Sequence, residues 1–284
     1  MSPWIKLLRP KQWIKNGFVF APLFFSGEFT HVESWHLAIQ AALAFLCASC
    51  LVYIVNDIKD VAEDREHPKK QNRPIASGRI KPKQAALLAV AFALASWALL
   101  APLPKACAVI GVAYVVLNGF YTFYLKRIAI IDVFFIASCY VLRVLMGCYA
   151  LQVEVSSWII LTTFLLALFL GFGKRYHEVG LEEYVKHKPN LQHYSRSLLD
   201  RLVIICGGAA LMAYAIYATE VANRIDRVEM SYTTAFVAFG LFRYLQAMYV
   251  YGKGGEPETI ILSDKLQLAN VAAWLFVTLW IMFY

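Results

Sequence analysis

Apolar runs alternate with short polar interruptions along almost the whole chain, and several approach the twenty residues that cross a bilayer as a helix. They predict nine spanning helices, at roughly 16–31, 35–55, 85–103, 106–125, 131–150, 157–172, 202–219, 232–250 and 267–284, of which the first and sixth are short. The expected fold is therefore an all-α integral membrane bundle. Composition agrees, because 60% hydrophobic and 16% charged residues leave too little polar surface for a soluble domain of 284 residues. No linker or low-complexity stretch divides the chain, so one domain over 1–284 is expected. Two large charged loops, after the second and sixth expected spans, sit four spans apart. Paired features at matching positions of two halves often flank a central site.

The net charge of +8 is unevenly placed. Lys6, Arg9, Lys11, Lys15, the Lys59–Lys83 loop, Lys126 with Arg127, the Lys174–Arg201 loop and the Lys253–Lys265 loop fall on one side of the expected bundle. The other side holds only Lys105, Arg224 and Arg227. By the positive-inside rule the N-terminus and the large loops are cytoplasmic, in a bacterial-type plasma membrane, and nine spans put the C-terminus outside. That bias accounts for the basic charge without a nucleic-acid partner. The apolar stretch after Lys15 lacks a small-residue cleavage signal and reads as retained. The start, MSPWIKLLRPKQW, reads either as a short interfacial helix or as a basic juxtamembrane anchor. All six cysteines lie in apolar segments. Cys47 and Cys50 have metal-like spacing but no second pair and no nearby His, so they read as small buried apolar residues.

The densest charge follows the second expected span. Asn56, Asp57, Asp60 and Asp64 are spaced N-D-x-x-D-x-x-x-D, and helix-compatible residues precede them. Continued as a helix, Asp57, Asp60 and Asp64 fall at i, i+3 and i+7 on one face, with Asn56 and Asp60 as i, i+4 neighbours. Like charges along one face repel, and more so near lipid. A divalent cation offsets that repulsion, and Mg²⁺ favours a few carboxylates with waters and phosphate oxygens over a complete protein cage. The other reading is a solvated helix end paired locally with Lys59, Arg65 and Lys69. An EF-hand is excluded, because its turn glycine is missing.

Asn56-Asp57-Ile-Lys-Asp60-Val-Ala-Glu-Asp64, followed by His67-Pro68-x-Lys70 and Arg73-Pro74-Ile-Ala-Ser77-Gly78, resembles the UbiA superfamily of intramembrane prenyltransferases. The resemblance implies a helical bundle, generally of nine spans, with a lateral lipid-accessible cavity. It also implies that Asn56, Asp57, Asp60 and Asp64 hold Mg²⁺ and the diphosphate of a donor.

Members of that superfamily ordinarily carry a second aspartate-rich motif after a later span. This chain has GFGKRYHEVGLEEY there, with Lys174, Arg175, Tyr176 and a single well-placed carboxylate, Glu178. Carboxylates hold phosphate only through a bridging metal, whereas Arg and Lys bind it directly by charge-assisted hydrogen bonds. The substitution suits a substrate such as 5-phosphoribosyl 1-diphosphate, with a metal-binding diphosphate at one end and a lone 5-phosphate at the other. A positive cap with a local ion pair is the plainer alternative. Leu8–Asn16 (LRPKQWIKN), Leu125–Phe134 (LKRIAIIDVF) with Arg143 beyond it, and Gly173–Glu178 (GKRYHE) are similar to the polyprenyl-phosphate phosphoribosyltransferases, a branch that serves cell-wall synthesis.

That resemblance implies transfer of 5-phosphoribosyl to a polyprenyl phosphate, with release of diphosphate. Asp57, Asp60 and Glu178 are then the expected catalytic residues. Lys11, Lys15, Asn16, Arg65, Arg73, Lys126, Arg143, Lys174, Arg175 and Tyr176 are the expected substrate-binding ones, with membrane lipid around them. Arg143 lies mid-span, where a charge faces the bundle interior or an aqueous cavity. It reads equally as a phosphate ligand or as a partner of Asp132. His67, His177, Arg243 and Asp264 are weaker site candidates, and Gly252–Glu258 reads as a flexible turn without a P-loop pattern. Two rival functions stand beside this one: prenyl transfer to an aromatic acceptor, and a transporter gated by the charged loops.

Overall fold

Away from water a backbone must satisfy its own N–H and C=O groups, and the long apolar runs accordingly fold as helices. The computed structural model describes residues 2–67, 70–181, 189–252, 255, 260 and 263–283. Lys69 and most of Gly252–Glu258 therefore lie outside the described residues. In chain order the helices are α1 (Pro3–Leu7), α2 (Ala21–Phe25), α3 (Val32–Lys59), α4 (Val61–Glu66), α5 (Pro82–Leu100) and α6 (Lys105–Phe123). They continue as α7 (Ile131–Leu151), α8 (Ser157–Val179), α9 (Arg196–Ile225), α10 (Glu229–Tyr232), α11 (Thr234–Tyr249) and α12 (Lys265–Phe283). No strand occurs among the described residues.

Among those residues, seven helices are long and apolar enough to cross a membrane: α3, α5, α6, α7, α8, α9 and α12. Nine were expected, and two expected spans differ. Residues 16–31 do not form one helix but a 3₁₀ segment (Pro10–Phe20), α2, and a second 3₁₀ turn (Glu28–Thr30). Arg9 and Gly27 adopt left-handed conformations at the two ends (φ 54° and 86°), and Pro22 has no N–H to donate. Residues 232–250 give α11, which has only 16 residues after the short α10.

The chain forms two compact units, Met1–Leu125 with Leu142–Glu154, and Lys126–Val141 with Val155–Tyr284. In the first, α3 packs on α5 through small residues: Ala38, Ala41, Ala44 and Ala48 are buried on α3, and Ala85 and Ala89 on α5. Small side chains let two backbones approach closely in lipid. The contact is tied by the Ser96 hydroxyl donating to the Ala44 carbonyl (2.9 Å) and the Gln40 amide donating to the Leu99 carbonyl (2.8 Å). At the charged end of α3, Leu7, Ile54, Ile75 and Ile80 form a closed apolar cluster that anchors α1 and the 70–81 loop. Gly147 of α7 is required where the 3₁₀ segment passes, since a Cβ there would sit 2.0 Å from the Val19 carbonyl oxygen.

In the second unit, α8 packs against α9, and Phe169, Phe172, Leu199, Val203 and Tyr244 fill the core. Five of the six cysteines are buried and Cys47 is half-buried; all are free thiols, in keeping with a packing role.

Candidate active site

The charged end of α3 places its acids in two settings. Asp57 and Asp64 are 2% and 1% exposed, whereas Asp60 is half-buried. The single helical face expected from spacing is interrupted: α3 stops at Lys59, Asp60 caps it (φ −87°, ψ 11°), and α4 starts at Val61. The Asp64 N–H still donates to the Asp60 carbonyl at 2.8 Å, so the displacement is small and Asp64 keeps its place near Asp57.

Two arginines compensate the buried carboxylates. Arg73 Nη1 donates to Asp57 Oδ1 at 3.0 Å and to Asp64 Oδ2 at 2.7 Å. Its loop is set by the turn at Gly78 (φ 75°) and by the Ile80 N–H donating to the Pro74 carbonyl at 3.0 Å. Arg9 Nη2 donates to Asp57 Oδ1, and its guanidinium lies 5.1 Å above the Tyr53 ring. The Lys70 ammonium stands 3.6 Å from Asp64 Oδ1, a buried oxygen with no hydrogen-bond partner among the described residues.

Asn56 meets α6: its Oδ1 lies within hydrogen-bond distance of Thr122 Oγ1. Beside it the Lys59 ammonium donates to the Thr122 carbonyl at 2.6 Å and lies 3.8 Å from the Phe123 ring centroid. The described residues contain no ready-made group of three His, Cys, Asp or Glu side chains for a metal. They do contain two buried carboxylates that reach one guanidinium nitrogen, an adjoining amide, and a buried carboxylate oxygen open to a further ligand. Oxygen donors of this kind fit Mg²⁺, which leaves much of its coordination to water and phosphate.

Arg143 is buried in the same unit. Its Nε donates to Asn16 Oδ1 (3.1 Å) and its Nη2 to the Tyr114 hydroxyl (3.5 Å), while the guanidinium lies 5.0 Å from the Phe45 ring and 5.3 Å from that of Tyr114. Asn16 also accepts from Ser49 at 3.5 Å. Arg143 thus fastens the 3₁₀ segment, and Arg143 and Asp132 each have partners within their own unit. Of the remaining expected residues here, Lys11 is exposed, Lys15 half-buried, and Arg65 exposed with its Nε donating to the Ala76 carbonyl at 3.2 Å. His67 is buried and its Nδ1 accepts from the Lys70 N–H at 3.4 Å.

The second cluster inverts the first, with one buried cation among acids. Arg175 donates through Nε to Asp132 Oδ2 (2.8 Å) and through Nη1 to Glu178 Oε2. Asp132, fully buried, also accepts from Asn190 Nδ2 (2.8 Å) and from the Tyr194 hydroxyl (2.9 Å), and that hydroxyl accepts from the Ile130 N–H. Burial, then the Asp132 charge, pushes the Tyr194 hydroxyl well above its usual range. Arg175 was expected to meet phosphate, but its donors serve Asp132 and Glu178. Lys174 and Lys126 are half-buried in this unit. The Tyr176 ring packs edge-on to Tyr249 (5.4 Å), with the Arg196 guanidinium 5.6 Å above it. His177 is half-buried beside Gly255. Arg243 and Asp264 pair with each other at 2.7 Å, and that bond holds the Asp264 carboxyl below its usual range.

The family model of the UbiA prenyltransferases matches residues 18–251. The chain belongs to the UbiA prenyltransferase family. Within it, the chain is 33% identical over 281 residues to the decaprenyl-phosphate phosphoribosyltransferase of Corynebacterium glutamicum, covering 96% of this chain and 84% of that one. It is 31% identical over 283 residues to the enzyme of the same name from Mycobacterium tuberculosis, covering 95% and 91%. The structure of a UbiA homolog from Archaeoglobus fulgidus bound to GPP and Mg²⁺ superposes with a TM-score of 0.74 at 19% identity, over 98% of this chain and 99% of that one. The all-helical UbiA fold follows.

Several residues of the two clusters escaped sequence reasoning. Arg9 counted as basic charge and as part of the Leu8–Asn16 motif; its left-handed backbone and its bond to Asp57 are visible only in the structure. Thr122, Asn190 and Tyr194 carried no signal, because each meets its acidic or amide partner across 58 to 66 residues of chain.

Proposed function

We propose that this UbiA-family protein transfers 5-phosphoribosyl from 5-phosphoribosyl 1-diphosphate to a polyprenyl phosphate. The products are a polyprenylphosphoryl-5-phosphoribose, of use in cell-envelope synthesis, and diphosphate. The observation that carries this reading is identity above 30% across nearly the whole chain with two decaprenyl-phosphate phosphoribosyltransferases. The Lys174-Arg175-Tyr176 segment, standing where the superfamily ordinarily carries a second aspartate-rich motif, supports it over prenyl transfer to an aromatic acceptor.

In this reaction an oxygen of the lipid phosphate attacks the anomeric carbon of ribose. The bond from that carbon to the diphosphate oxygen breaks, and its electron pair leaves with diphosphate. The lipid phosphate is ionised at neutral pH, so no protein nucleophile or strong base is required, and positioning and electrostatics carry the catalysis. Asn56, Asp57, Asp60 and Asp64 would hold Mg²⁺, whose contribution when bound is to neutralise the departing diphosphate. Arg73 and Arg9 hold Asp57 in place through hydrogen bonds to its Oδ1. Lys126 and Lys174 are assigned to phosphate ends, with Lys11, Lys15 and Arg65 as further phosphate contacts, and Tyr176 to the ribose. Arg175 acts as a positioning residue, fixing Glu178, and Arg143 with Asn16 fixes the N-terminal segment. The basic loops and the N-terminus are assigned to the cytoplasmic side of a plasma membrane.

The test is purified protein in detergent with Mg²⁺, polyprenyl phosphate and labelled 5-phosphoribosyl 1-diphosphate, following label into the lipid phase. Label should reach the lipid with the wild type and be lost with Asp60→Asn and Lys174→Ala. No lipid labelling, together with prenylation of an aromatic acid from a prenyl diphosphate, overturns the reading.

A further inference from the structure

The Thr122 hydroxyl has one proton and two oxygen neighbours. Its Oγ1 lies 2.8 Å from the Asn118 carbonyl oxygen and within hydrogen-bond distance of the atom of Asn56 placed as Oδ1. One hydroxyl proton serves one acceptor, so with both neighbours as oxygens two lone pairs would face each other without a proton between them. The carbonyl of Asn118 is an acceptor under any assignment. The Asn56 amide is not, because its oxygen and nitrogen are distinguished only by the network around them. With the amide turned by half a rotation, both Thr122 contacts are matched: Asn56 Nδ2 donates to Thr122 Oγ1, and the Thr122 hydroxyl donates to the Asn118 carbonyl.

Thr122 is 3% exposed, so an unmatched oxygen pair there would go unrelieved by water. The α6 end that carries it is also held, since the Lys59 ammonium donates to the Thr122 carbonyl at 2.6 Å. The consequence falls on Asn56. Its Nδ2 is committed to α6, and its Oδ1 is turned away from Thr122, on the charged end of α3 that carries Asp57 and Asp60.

We propose that Thr122 is a positioning residue for the metal-binding end of α3. By accepting from the Asn56 amide nitrogen, it keeps the amide oxygen presented as a neutral ligand for a divalent cation. This rests on the transferase reading's assignment of a divalent cation to Asn56, Asp57, Asp60 and Asp64. It adds a residue, distant in sequence, that sets which atom of Asn56 the cation meets. Outer partners that orient a ligand change metal affinity by roughly 10- to 100-fold when removed.

The experiment is Mn²⁺ titration of purified protein in detergent, without substrate, reading free Mn²⁺ by electron paramagnetic resonance, with thermal melting in parallel. Thr122→Val keeps the shape and removes the acceptor, and Thr122→Ser keeps the hydroxyl. The expected result is a Mn²⁺ dissociation constant raised about tenfold in the valine variant and restored to within about twofold in the serine variant. Unchanged affinity in Thr122→Val, with wild-type binding intact, overturns the positioning role and leaves the metal site standing. Equal loss in both variants also overturns it, because packing rather than the hydroxyl would then be responsible. Should the valine variant fail to fold, affinity in Thr122→Ser and Thr122→Ala decides in the same way. No saturable binding in the wild type or in any variant overturns the metal assignment, and this inference with it.

Discussion

Replacing Arg175 with methionine removes the guanidinium from between Asp132 and Glu178 while keeping much of the side-chain volume. In the wild type Asp132 is completely buried and Glu178 nearly so. Breaking a buried pair by removing one partner costs about 3–5 kcal/mol, because a charge is left uncompensated. Asp132 retains Asn190 at 2.8 Å and Tyr194 at 2.9 Å, which places the expected loss at the lower end, about 3 kcal/mol. On the scale of soluble domains of comparable size, that lowers the melting temperature by roughly 6–12 °C. The assay is thermal unfolding of the purified protein in one detergent at fixed pH. Asp132→Asn combined with Arg175→Met should recover part of the loss, since Asp132 then carries no unmatched charge. An Arg175→Met protein that melts within about 2 °C of wild type yet transfers nothing would refute this reasoning and return Arg175 to direct phosphate binding.

Three further outcomes are expected. Gly147→Ala should lower thermal stability by at least about 1–3 kcal/mol, because its Cβ would fall 2.0 Å from the Val19 carbonyl oxygen; Gly119→Ala, with open space at that position, should be neutral or slightly stabilising in the same melts. The Tyr194 hydroxyl titrates higher in the folded protein than its ordinary value of 10.0, so its contribution is complete below that pH. It is lost as pH rises above that value and the unfolded chain releases the proton first, and Tyr194→Phe should flatten the melting profile above about pH 10. Asp264 is shifted the other way by Arg243, so its contribution is present above the ordinary value of 3.8 and disappears as pH falls through the lowered folded value; Asp264→Asn should remove that part of the acid limb.

The helical bundle was legible because twenty apolar residues have few alternatives to a buried helix, and α3, α5, α6, α7, α8, α9 and α12 lie where apolar runs predict them. The residues around 16–31 misled the reading because apolar character measures burial, not helicity. Asn16 and Val19 are indeed buried, but the left-handed Arg9, Pro22 and the left-handed Gly27 break the segment into short turns. In the first cluster, spacing alone brought Asp57 and Asp64 together, since seven residues return to one helix face even across the interruption at Asp60. Which cation compensates them was open: Lys59, Arg65 and Lys69 were the local choices, and Arg9 and Arg73 are the residues bonded to the acids. The second cluster was half legible, as Arg175 and Glu178 are one turn apart, whereas Asp132 lies 43 residues from Arg175.

The two clusters solve one electrostatic problem with opposite signs, and the difference bears on which side chains are free to act. Buried charge is retained only when paired and hydrogen-bonded. In the first cluster two acids share two arginines, and among the described residues Asp64 Oδ1 has its lysine at 3.6 Å without a hydrogen bond. A carboxylate oxygen left with a long-range partner is the atom with most to gain from a further cation. In the second cluster the carboxylates of Asp132 and Glu178 hold the one arginine, and Asp132 is closed off further by Asn190 and Tyr194. Such a centre has little to gain from a metal and much to lose from disruption. The proposed function accordingly assigns chemistry on a diphosphate to the Asn56–Asp64 stretch, while Asp132 and Arg175 hold the end of α8 on which Lys174, Tyr176 and Glu178 are carried.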